Sequence, residues 1–537
     1  MAAKKTLFIT DWLDKKPYQN YSAVDLEYLA VANKVHQKID SFKFLFEQLQ
    51  ISKQQGKDLA VFLTCFLEDL VSETNIWSTF INVNKELFDK KLPFYDTKTG
   101  YQQGDINLSD LKFLIWYFLN CIYPERFLSP YDDYLDYLAN NIGSVLEDEF
   151  EYISENEVLK EEYFLDDKLD FYETRTVIQK LFFDSYLFGL DAKKVLFDQT
   201  KNYTEENQNK INQNPEYFQR FMYSFTNQIT FGHRTKLLAF KSTDWMASYV
   251  GKNHKLYNKL KNCSEKVTGY FFYKKTEGEC YVFEHIASEK LFKMYSESYN
   301  GALNSDKNAI YYLDIVQWGE HYMLCGVSTQ MPFDANIVLD QKNSSDERLK
   351  VSNIGEESLE ENIKFTLQQE KSFIDTFGSS IVFASEDQLQ NCLDLFQNQY
   401  HKGLKNNTQK DFLEAQQRFR SKGYFSKNDN FGSTNKNNNV IIFFNKNQGV
   451  EIYNNICNII PDEKNPFYKE EDTLQIKLIL FSPEYSKEFA EYFVANYASK
   501  LDFFKTGTGA KYLNDFDFLL RFWKPNNYFN LPTISFI

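Results

Sequence analysis

Residues 269–286, GYFFYKKTEGECYVFEHI, decide the fold class. Two runs of aromatic and β-branched residues flank a turn at Gly278, and this pattern predicts a β-hairpin. Residues 308–327, NAIYYLDIVQWGEHYMLCGV, repeat the pattern around Gly319. Two such hairpins predict a small antiparallel sheet or open barrel near 265–330, with one apolar face packed on a neighbour. A short helix is expected between them, at 288–298.

Upstream of the hairpins, the first 240 residues or so predict an array of helices. Ser22 and Asp25 have the spacing of a capping box, and the apolar residues that follow recur at helical period. Ser109 and Pro124 predict the start and the end of another helix. Further helices are expected near 57–71, 130–146, 173–188 and 215–228.

Downstream of the hairpins, helical and strand-like patterns alternate. A helix is expected to end at Gly378, and the Asn-rich stretch 424–439 predicts a mobile linker. The C-terminal part predicts a hairpin at 439–453 with Gly449 in its turn, and a buried strand at 473–481. The same part predicts a helix from Ser482 to about Lys500 and a final strand at 533–537.

The expected fold class is therefore α+β and multidomain. The segments are a helical array at 1–240, an antiparallel two-hairpin β module at 241–335, a helical connector with one strand at 336–423, a flexible Asn-rich linker at 424–439, and an α+β domain at 440–537.

Composition excludes several functional classes. The 537 residues contain 60 Lys and Arg against 75 Asp and Glu, a net charge of −15 that disfavours non-specific nucleic-acid binding. No signal peptide and no apolar run long enough to span a membrane is present, so a cytoplasmic location is expected. The seven cysteines are odd in number and show no C-x-x-C spacing, which disfavours a disulfide framework or a zinc site.

Catalytic and cofactor motifs are absent. The nearest approach to a phosphate-binding loop is Gly507-Thr-Gly509-Ala-Lys511, which lacks the required spacing and predicts a glycine turn. No dinucleotide-binding, nucleophile-elbow, zinc-protease or EF-hand pattern occurs. We therefore expect no catalytic residue, no cofactor and no metal site.

Two weaker site candidates remain. Near the strand ends lie Glu284, His285, Asp314, Glu320 and His321, which could meet for metal binding or acid–base chemistry if the strands paired suitably. Adjacent residues on a strand point to opposite faces, so ordinary polar roles are the competing interpretation. The helical carboxylates Glu68, Asp69 and Glu73 lack the Glu-x-x-His pairs of di-iron bundles.

The strongest compositional feature is residues 144–173, which we call the acidic strip. It contains twelve acidic residues and two lysines, interleaved with aromatics. The pattern is compatible either with a docking surface for a basic partner or with a solvated edge whose aromatics pack inward. Candidate contact residues are Glu147, Asp148, Glu149, Glu151, Glu155, Glu161 and Glu162. Residues 401–438 carry the opposite bias, eight basic against three acidic residues, and could contact nucleic acid or the strip.

Several sequence blocks resemble an uncharacterised family of Bacteroidota proteins, a domain of unknown function. The blocks are ITDWLDKKPY (9–18), DLEYLAVANKV (25–35), EDLVSETNIW (68–77), LPFYD (92–96), INLSDLKFLIWYFL (106–119), VFEHIAS (282–288), IVQWGEHYMLCG (315–326), PDEKNPFY (461–468) and FLLRFWK (518–524). The resemblance extends over nearly the whole chain and implies a soluble bacterial protein. It implies no activity and no cofactor.

The sequence thus favours a non-enzymatic interaction scaffold or adaptor whose partner is another protein with a basic surface. One alternative is an enzyme whose active site is assembled from distant segments. A second alternative is a nucleic-acid-associated protein that uses residues 401–438. No membrane association is expected.

Overall fold

The computed structural model describes residues 6–123, 126–299, 301, 303, 308–403 and 439–532. The chain divides into two compact units, residues 1–342 and 343–537. The first unit contains a helical array followed by a small barrel, and the second combines helices with a small sheet. The α+β multidomain class is therefore confirmed. Most of the expected linker, almost all of the basic segment and the expected strand at 533–537 lie outside the described residues.

The positions of the helices in the array agree with the helical periodicity of apolar residues in the sequence. None of the helices in the described ranges is both long and apolar enough to cross a bilayer. The array consists of α1 Ile9–Leu13, α2 Ala23–Asp40, α3 Lys43–Gln48, α4 Lys53–Val71, α5 Ile76–Phe88, α6 Leu108–Ile122, α7 Asp133–Phe150, α8 Glu157–Tyr163, α9 Phe171–Gln179, α10 Gly189–Gln213, α11 Pro215–Gly232, α12 Ser242–Val250 and α13 Tyr257–Lys261.

Local signals explain where these helices begin. The capping box is confirmed, since Ser22 Oγ accepts the N–H of Asp25 at 3.3 Å and the Asp25 carboxylate accepts the N–H of Ser22 at 2.7 Å. Helix α6 begins at Leu108, so its N-cap residue is Asn107 rather than Ser109. Helix α6 is buried on nearly every side, which is typical of a central helix in a large core.

Both expected hairpins are confirmed, and the barrel they belong to is closed. Gly278 and Gly319 occupy the turns with φ of 56° and 73°, a region that favours glycine. The strand order is β1-β2-β3-β5-β4. The strands are β1 Val267–Glu277, β2 Cys280–His285, β3 Leu291–Tyr295, β4 Ile310–Trp318 and β5 His321–Met331.

The prediction of a helix at 288–298 is wrong, because this segment contains strand β3. Along it, Leu291 and Lys293 are exposed while Phe292 and Met294 are buried, which is the two-residue period of a strand. Strand β3 pairs antiparallel with β2, and parallel with β5 at Met294 and Tyr322. It closes the barrel and leaves fewer backbone groups unpaired at a sheet edge.

Beyond the barrel, the chain continues with helix α14 and then with the second unit, which combines helices with a three-stranded antiparallel sheet of order β6-β7-β8. Its core contains Phe373, Phe396 and Phe444. The elements are α14 Ala335–Asn343, α15 Ser345–Leu349, α16 Glu356–Phe377, β6 Ile381–Ser385, α17 Leu389–Gly403, β7 Asn439–Asn445, β8 Gly449–Asn454, α18 Thr473–Phe481, α19 Lys487–Tyr497, α20 Gly507–Leu513, α21 Phe516–Trp523 and α22 Pro525–Tyr528.

Two expectations for this part are corrected and one is confirmed. Residues 473–481 form helix α18 and not a strand, since the Asp472 side chain accepts the N–H groups of Leu474 and Gln475 and so caps a helix. A short apolar run does not by its pattern distinguish the two. The helix expected from Ser482 begins later, with Ser486 as its N-cap. The hairpin with Gly449 in its turn is confirmed.

Gly326 on β5 tests the packing of the barrel wall, where the Asp314 carboxylate also accepts from Ser224 Oγ of α11 at 2.9 Å. A Cβ atom at this position would overlap the carboxylate of Asp314, which is held by Lys266 at 3.1 Å and by Thr268 Oγ1 at 2.6 Å. We expect Gly326→Ala to lower the free energy of unfolding by about 1–3 kcal/mol, measured by chemical denaturation. Gly232→Ala, where no atom lies within 4 Å of the added Cβ, is the matched control. Equal stability of the two variants would contradict this packing.

Candidate functional site

The acidic strip is a surface with one buried side and one exposed side. It runs from the second half of α7 through α8 to the start of α9. Its acidic candidates face solvent or lie half-buried, while its apolar and amide side chains alternate with them and point inward. The inward residues are Leu146, Asn156, Leu159, Tyr163, Leu165 and Phe171. The strip is therefore part of the folded helical array.

Asn156 attaches the strip to the core. It is 1% exposed, and its side-chain amide donates to Glu68 Oε1 at 2.8 Å and to the Tyr18 hydroxyl at 2.9 Å. Its backbone N–H donates to Ser72 Oγ at 2.8 Å. Nearby, the Tyr28 hydroxyl donates to the carbonyl of Ser154 at 2.9 Å. These bonds satisfy the backbone and side-chain groups of the turn before α8 and hold it in one place.

Glu68, the acceptor for Asn156, forms a buried ion pair with Lys16. Both side chains are almost fully inaccessible, at 0% and 2%. The Lys16 Nζ also lies 3.9 Å from the centroid of the Trp12 ring. Burial by itself disfavours the charged form of Lys16. The neighbouring Cys65 and Glu68 outweigh this effect of burial, so the pKa of Lys16 is raised. Burial also raises the pKa of the Glu68 carboxyl, against the lowering effects of Lys16 and Asn156. The two residues are held together because each compensates the other's desolvation.

Asp25 and Asp69 extend this polar network. Asp25 Oδ1 accepts the Trp12 indole N–H at 2.9 Å and the Tyr18 hydroxyl at 2.8 Å. Asp69 accepts the first backbone N–H groups of α5, from Ile76 at 3.0 Å and Trp77 at 2.6 Å. The carboxylates Glu68 and Asp69 thus serve packing and capping, and no three His, Cys, Asp or Glu side chains within the described ranges are placed to hold a metal ion.

The exposed side of the strip carries carboxylates of two kinds. Three of the candidates take part in ion pairs: Glu149 with Lys34, Glu155 with Lys160, and Glu162 with Lys180. Among the ion pairs formed by described residues, none involves the other four: Glu147, Asp148, Glu151 and Glu161. These four side chains are exposed, so their negative charge is available to a partner.

Two aromatic rings of the strip are strongly exposed. The exposed fraction is 84% for Tyr152 and 68% for Phe164. Exposed single apolar residues are common, but aromatic residues are enriched at protein–protein interfaces relative to the rest of the surface. Neither ring belongs to the inward-facing set of the strip, so the sequence interpretation in which all its aromatics pack inward does not describe them.

The barrel does not bring its five candidates together. His285 is 0% exposed at the end of β2, where its backbone N–H donates to the carbonyl of Lys290 just before β3. His321 begins β5, with its ring 5.0 Å from that of Tyr295 at the other end of β3. The length of β3 separates the two imidazoles, roughly 13 Å of strand at 3.3 Å per residue.

The three barrel carboxylates have separate roles. Asp314 is 1% exposed and bound to Lys266, and Glu284 on the outer face pairs with Lys274 at 3.1 Å. Glu320 lies in the turn between β4 and β5. Their surroundings are those of structural polar residues, and the sequence could not show this because strand register sets which side chains meet.

An open cleft of about 450 Å³ lies beside the start of α6. The rings of Phe94 and Tyr95 line it together with the ion pair between Lys112 and Asp136, whose charged atoms are 2.7 Å apart. Its lining comes from residues 94–112 and 136, so it includes none of the barrel candidates. Sequence patterns did not indicate this cleft, since its wall is an irregular loop folded against a helix.

The helical array and the small barrel define an α+β protein. The chain belongs to the family described as "Protein of unknown function (DUF3843)", whose model matches residues 6–343. The expected resemblance to a family of unknown function is confirmed, and the blocks at 461–468 and 518–524 lie beyond the matched span. Neither a curated protein nor a solved structure matches the chain.

The buried ion pair predicts a pattern of stabilities. Lys16→Met leaves Glu68 buried without a counter-charge, and we expect a loss of about 3–5 kcal/mol in the free energy of unfolding. Adding Glu68→Leu removes the uncompensated carboxylate and should recover most of that loss. Chemical denaturation of the two variants and the wild type measures both effects.

Lys34→Met is the matched control for this prediction. It removes a lysine from an exposed ion pair with Glu149, where we expect a change of about 0–1 kcal/mol. If Lys16→Met lowered the free energy of unfolding as little as this control does, the buried pair of Lys16 and Glu68 would not be an anchor of the helical array.

Asp110 in the first turn of α6 predicts a pH dependence. The side chain is 1% exposed, and burial raises its pKa to about 7 despite the opposing effects of Asn107, Tyr101, Trp77 and Lys91. The ordinary value is 3.8, so the stability that its protonated form contributes is complete below 3.8 and is lost as pH rises through about 7. The stability of wild type relative to Asp110→Asn should fall by roughly 4 kcal/mol between about pH 4 and 8.

Denaturation curves across this pH range measure the effect. The exposed substitution Asp105→Asn is the control, and its curve should run parallel to that of wild type. Parallel curves for wild type and Asp110→Asn would instead show that Asp110 is ionised in the folded protein.

Proposed function

We propose that this protein is a non-enzymatic interaction scaffold that binds a partner protein with a Lys/Arg-rich surface through the acidic strip. The observation that carries the proposal is that one anchored segment contains four exposed carboxylates outside the described ion pairs and two exposed aromatic rings. The seven cysteines are all free, which suits a reducing compartment, and we propose the cytoplasm as its location.

Charge gives the strip its selectivity. Twelve acidic residues and two lysines between 144 and 173 account for ten of the fifteen net negative charges of the chain. A concentrated field of one sign raises the association rate with an oppositely charged surface and disfavours acidic competitors. Such binding weakens as salt screens the charges, over a distance of about 8–10 Å at physiological ionic strength.

The aromatic rings and the buried anchor supply the rest of the affinity. Tyrosine and phenylalanine bury a large area for the loss of few rotatable bonds, and a tyrosine ring also accepts a guanidinium on its face. Because Asn156 and Ser154 are already bonded to the core, little backbone freedom remains to be lost when a partner binds.

Charge reversal on the strip tests the proposal. The variant carries Glu147→Lys, Asp148→Lys and Glu151→Lys, none of which removes a described ion pair. We expect partners that co-purify with wild type at low salt to bind the variant at least about tenfold more weakly, since three favourable charge contacts become repulsive. Affinity capture from the native host with cross-linking mass spectrometry identifies the partner, and titration with the purified partner measures the dissociation constant.

The matched control makes the same change of net charge on α16, with Glu360→Lys, Glu361→Lys and Asp375→Lys, all at exposed positions. This control should bind as wild type does. A second variant, Tyr152→Ser with Phe164→Ser, keeps the charge and should weaken binding while preserving its salt dependence. Equal binding by all variants, or cross-links to a partner surface poor in Lys and Arg, would show that the strip is only structural.

A further inference from the structure

The polar network contains an amine and a thiol in contact, and the proposed binding uses neither of them. The Lys16 Nζ lies 3.6 Å from the Cys65 Sγ, and the two residues are only 4% and 3% exposed. Lys16 follows α1 and Cys65 lies in α4, so the tertiary fold alone places this amine beside this thiol. The fold therefore holds the Lys16 amine and the Cys65 thiol in contact.

A small cavity adjoins both groups. Its volume is about 10 Å³, room for one water-sized molecule, and Lys16, Cys65 and Glu68 are among the residues that line it. Lys15 also lines it, and that side chain is 36% exposed, so the cavity lies close to the surface. Glu68 contacts the Lys16 Nζ and is placed to accept its proton.

We propose that Lys16 and Cys65 form a reversible covalent N–O–S link when hydrogen peroxide enters this cavity. The site is a redox modification site, with hydrogen peroxide as its oxidant. The link would join the segment after α1 to α4 beside Glu68, and would therefore secure the network that anchors the acidic strip. This inference rests on the Lys16 and Cys65 geometry and not on the proposed partner binding.

The reaction balances in three steps. The Cys65 sulfur attacks one peroxide, so that an S–O bond forms, the O–O bond breaks and water leaves a sulfenic acid. The Lys16 amine, after losing its proton to Glu68, attacks a second peroxide to form an N–O bond, and again water leaves. The hydroxylamine oxygen then attacks the sulfenic sulfur and expels a third water. In sum, one thiol, one amine and two peroxides give one N–O–S link and three waters.

Geometry favours the oxygen bridge over a direct S–N bond. The present separation of 3.6 Å must shrink far more for a direct bond than for a link in which one oxygen occupies part of the gap. Burial raises the pKa of the Cys65 thiol to about 11, so the thiol reacts slowly with oxidant in general. The adjoining cavity is what makes a reaction at this thiol possible while the core remains folded.

Oxidation of the purified full-length protein tests the proposal. The folded protein is treated with hydrogen peroxide, and intact mass and non-reduced peptide maps are recorded. We expect a species that has gained one oxygen and lost two hydrogens, with the link mapped between the peptides that contain Lys16 and Cys65. A thiol reductant should remove it. The melting temperature of the linked form should rise by roughly 5–10 °C, since the link closes a long loop.

Variants and an unfolded control locate the chemistry. Lys16→Arg, which keeps a positive charge beside Glu68, and Cys65→Ala should each lack the linked species. Cys121→Ala, at another buried free cysteine, should retain it. Wild type oxidised in denaturant should lack it too, because the pair is no longer held together.

The wild-type peptide map shows whether Lys16 and Cys65 are linked even if a variant folds poorly. A map that shows only added oxygen on Cys65, unmodified protein after prolonged exposure, or a link between other residues would overturn the proposal. So would the same mass change in Cys65→Ala.

Discussion

The buried ion pair between Lys16 and Glu68 is the interaction on which the rest of the helical array depends. Two charges removed from water are tolerated only when each finds its partner and the remaining polar atoms find hydrogen bonds. Glu68 meets this condition by accepting from Lys16 with one oxygen and from Asn156 with the other. Three distant segments of the chain are thereby required to meet at one point.

This requirement explains how a strongly acidic segment can be an ordered surface. A run with ten excess negative charges repels itself and would remain solvated if it had no anchor. Asn156 and the inward-facing Leu159 and Tyr163 supply that anchor, so the carboxylates are displayed from a defined backbone. The same constraint places the Lys16 amine against the Cys65 thiol.

The barrel shows which elements a local sequence pattern predicts and which it does not. Both hairpins were predictable because each turn glycine and its flanking residues lie within one short stretch. Strand β3 was not, since its five residues become a strand through pairing with β2 and with Tyr322 of β5. Helix α18 was missed for a related reason: nine mostly apolar residues fit either a buried strand or a helix, and the cap at Asp472 together with the packing of the helix decides between them. Strand register keeps the two candidate histidines of the barrel, His285 and His321, at opposite ends of β3.

What the sequence by itself determined is the α+β class, the helical array, the turn glycines and the place of the acidic strip. Each of these depends on periodicity or charge within a window of some twenty residues. Such local information is present in the sequence whatever the tertiary structure is. Tertiary structure alone decided that Lys16, Glu68 and Asn156 meet, that the barrel closes, that four strip carboxylates stand outside the described ion pairs, and that two rings of the strip are exposed. Those facts depend on contacts between residues far apart in the chain, whose geometry is set by the packing of whole elements.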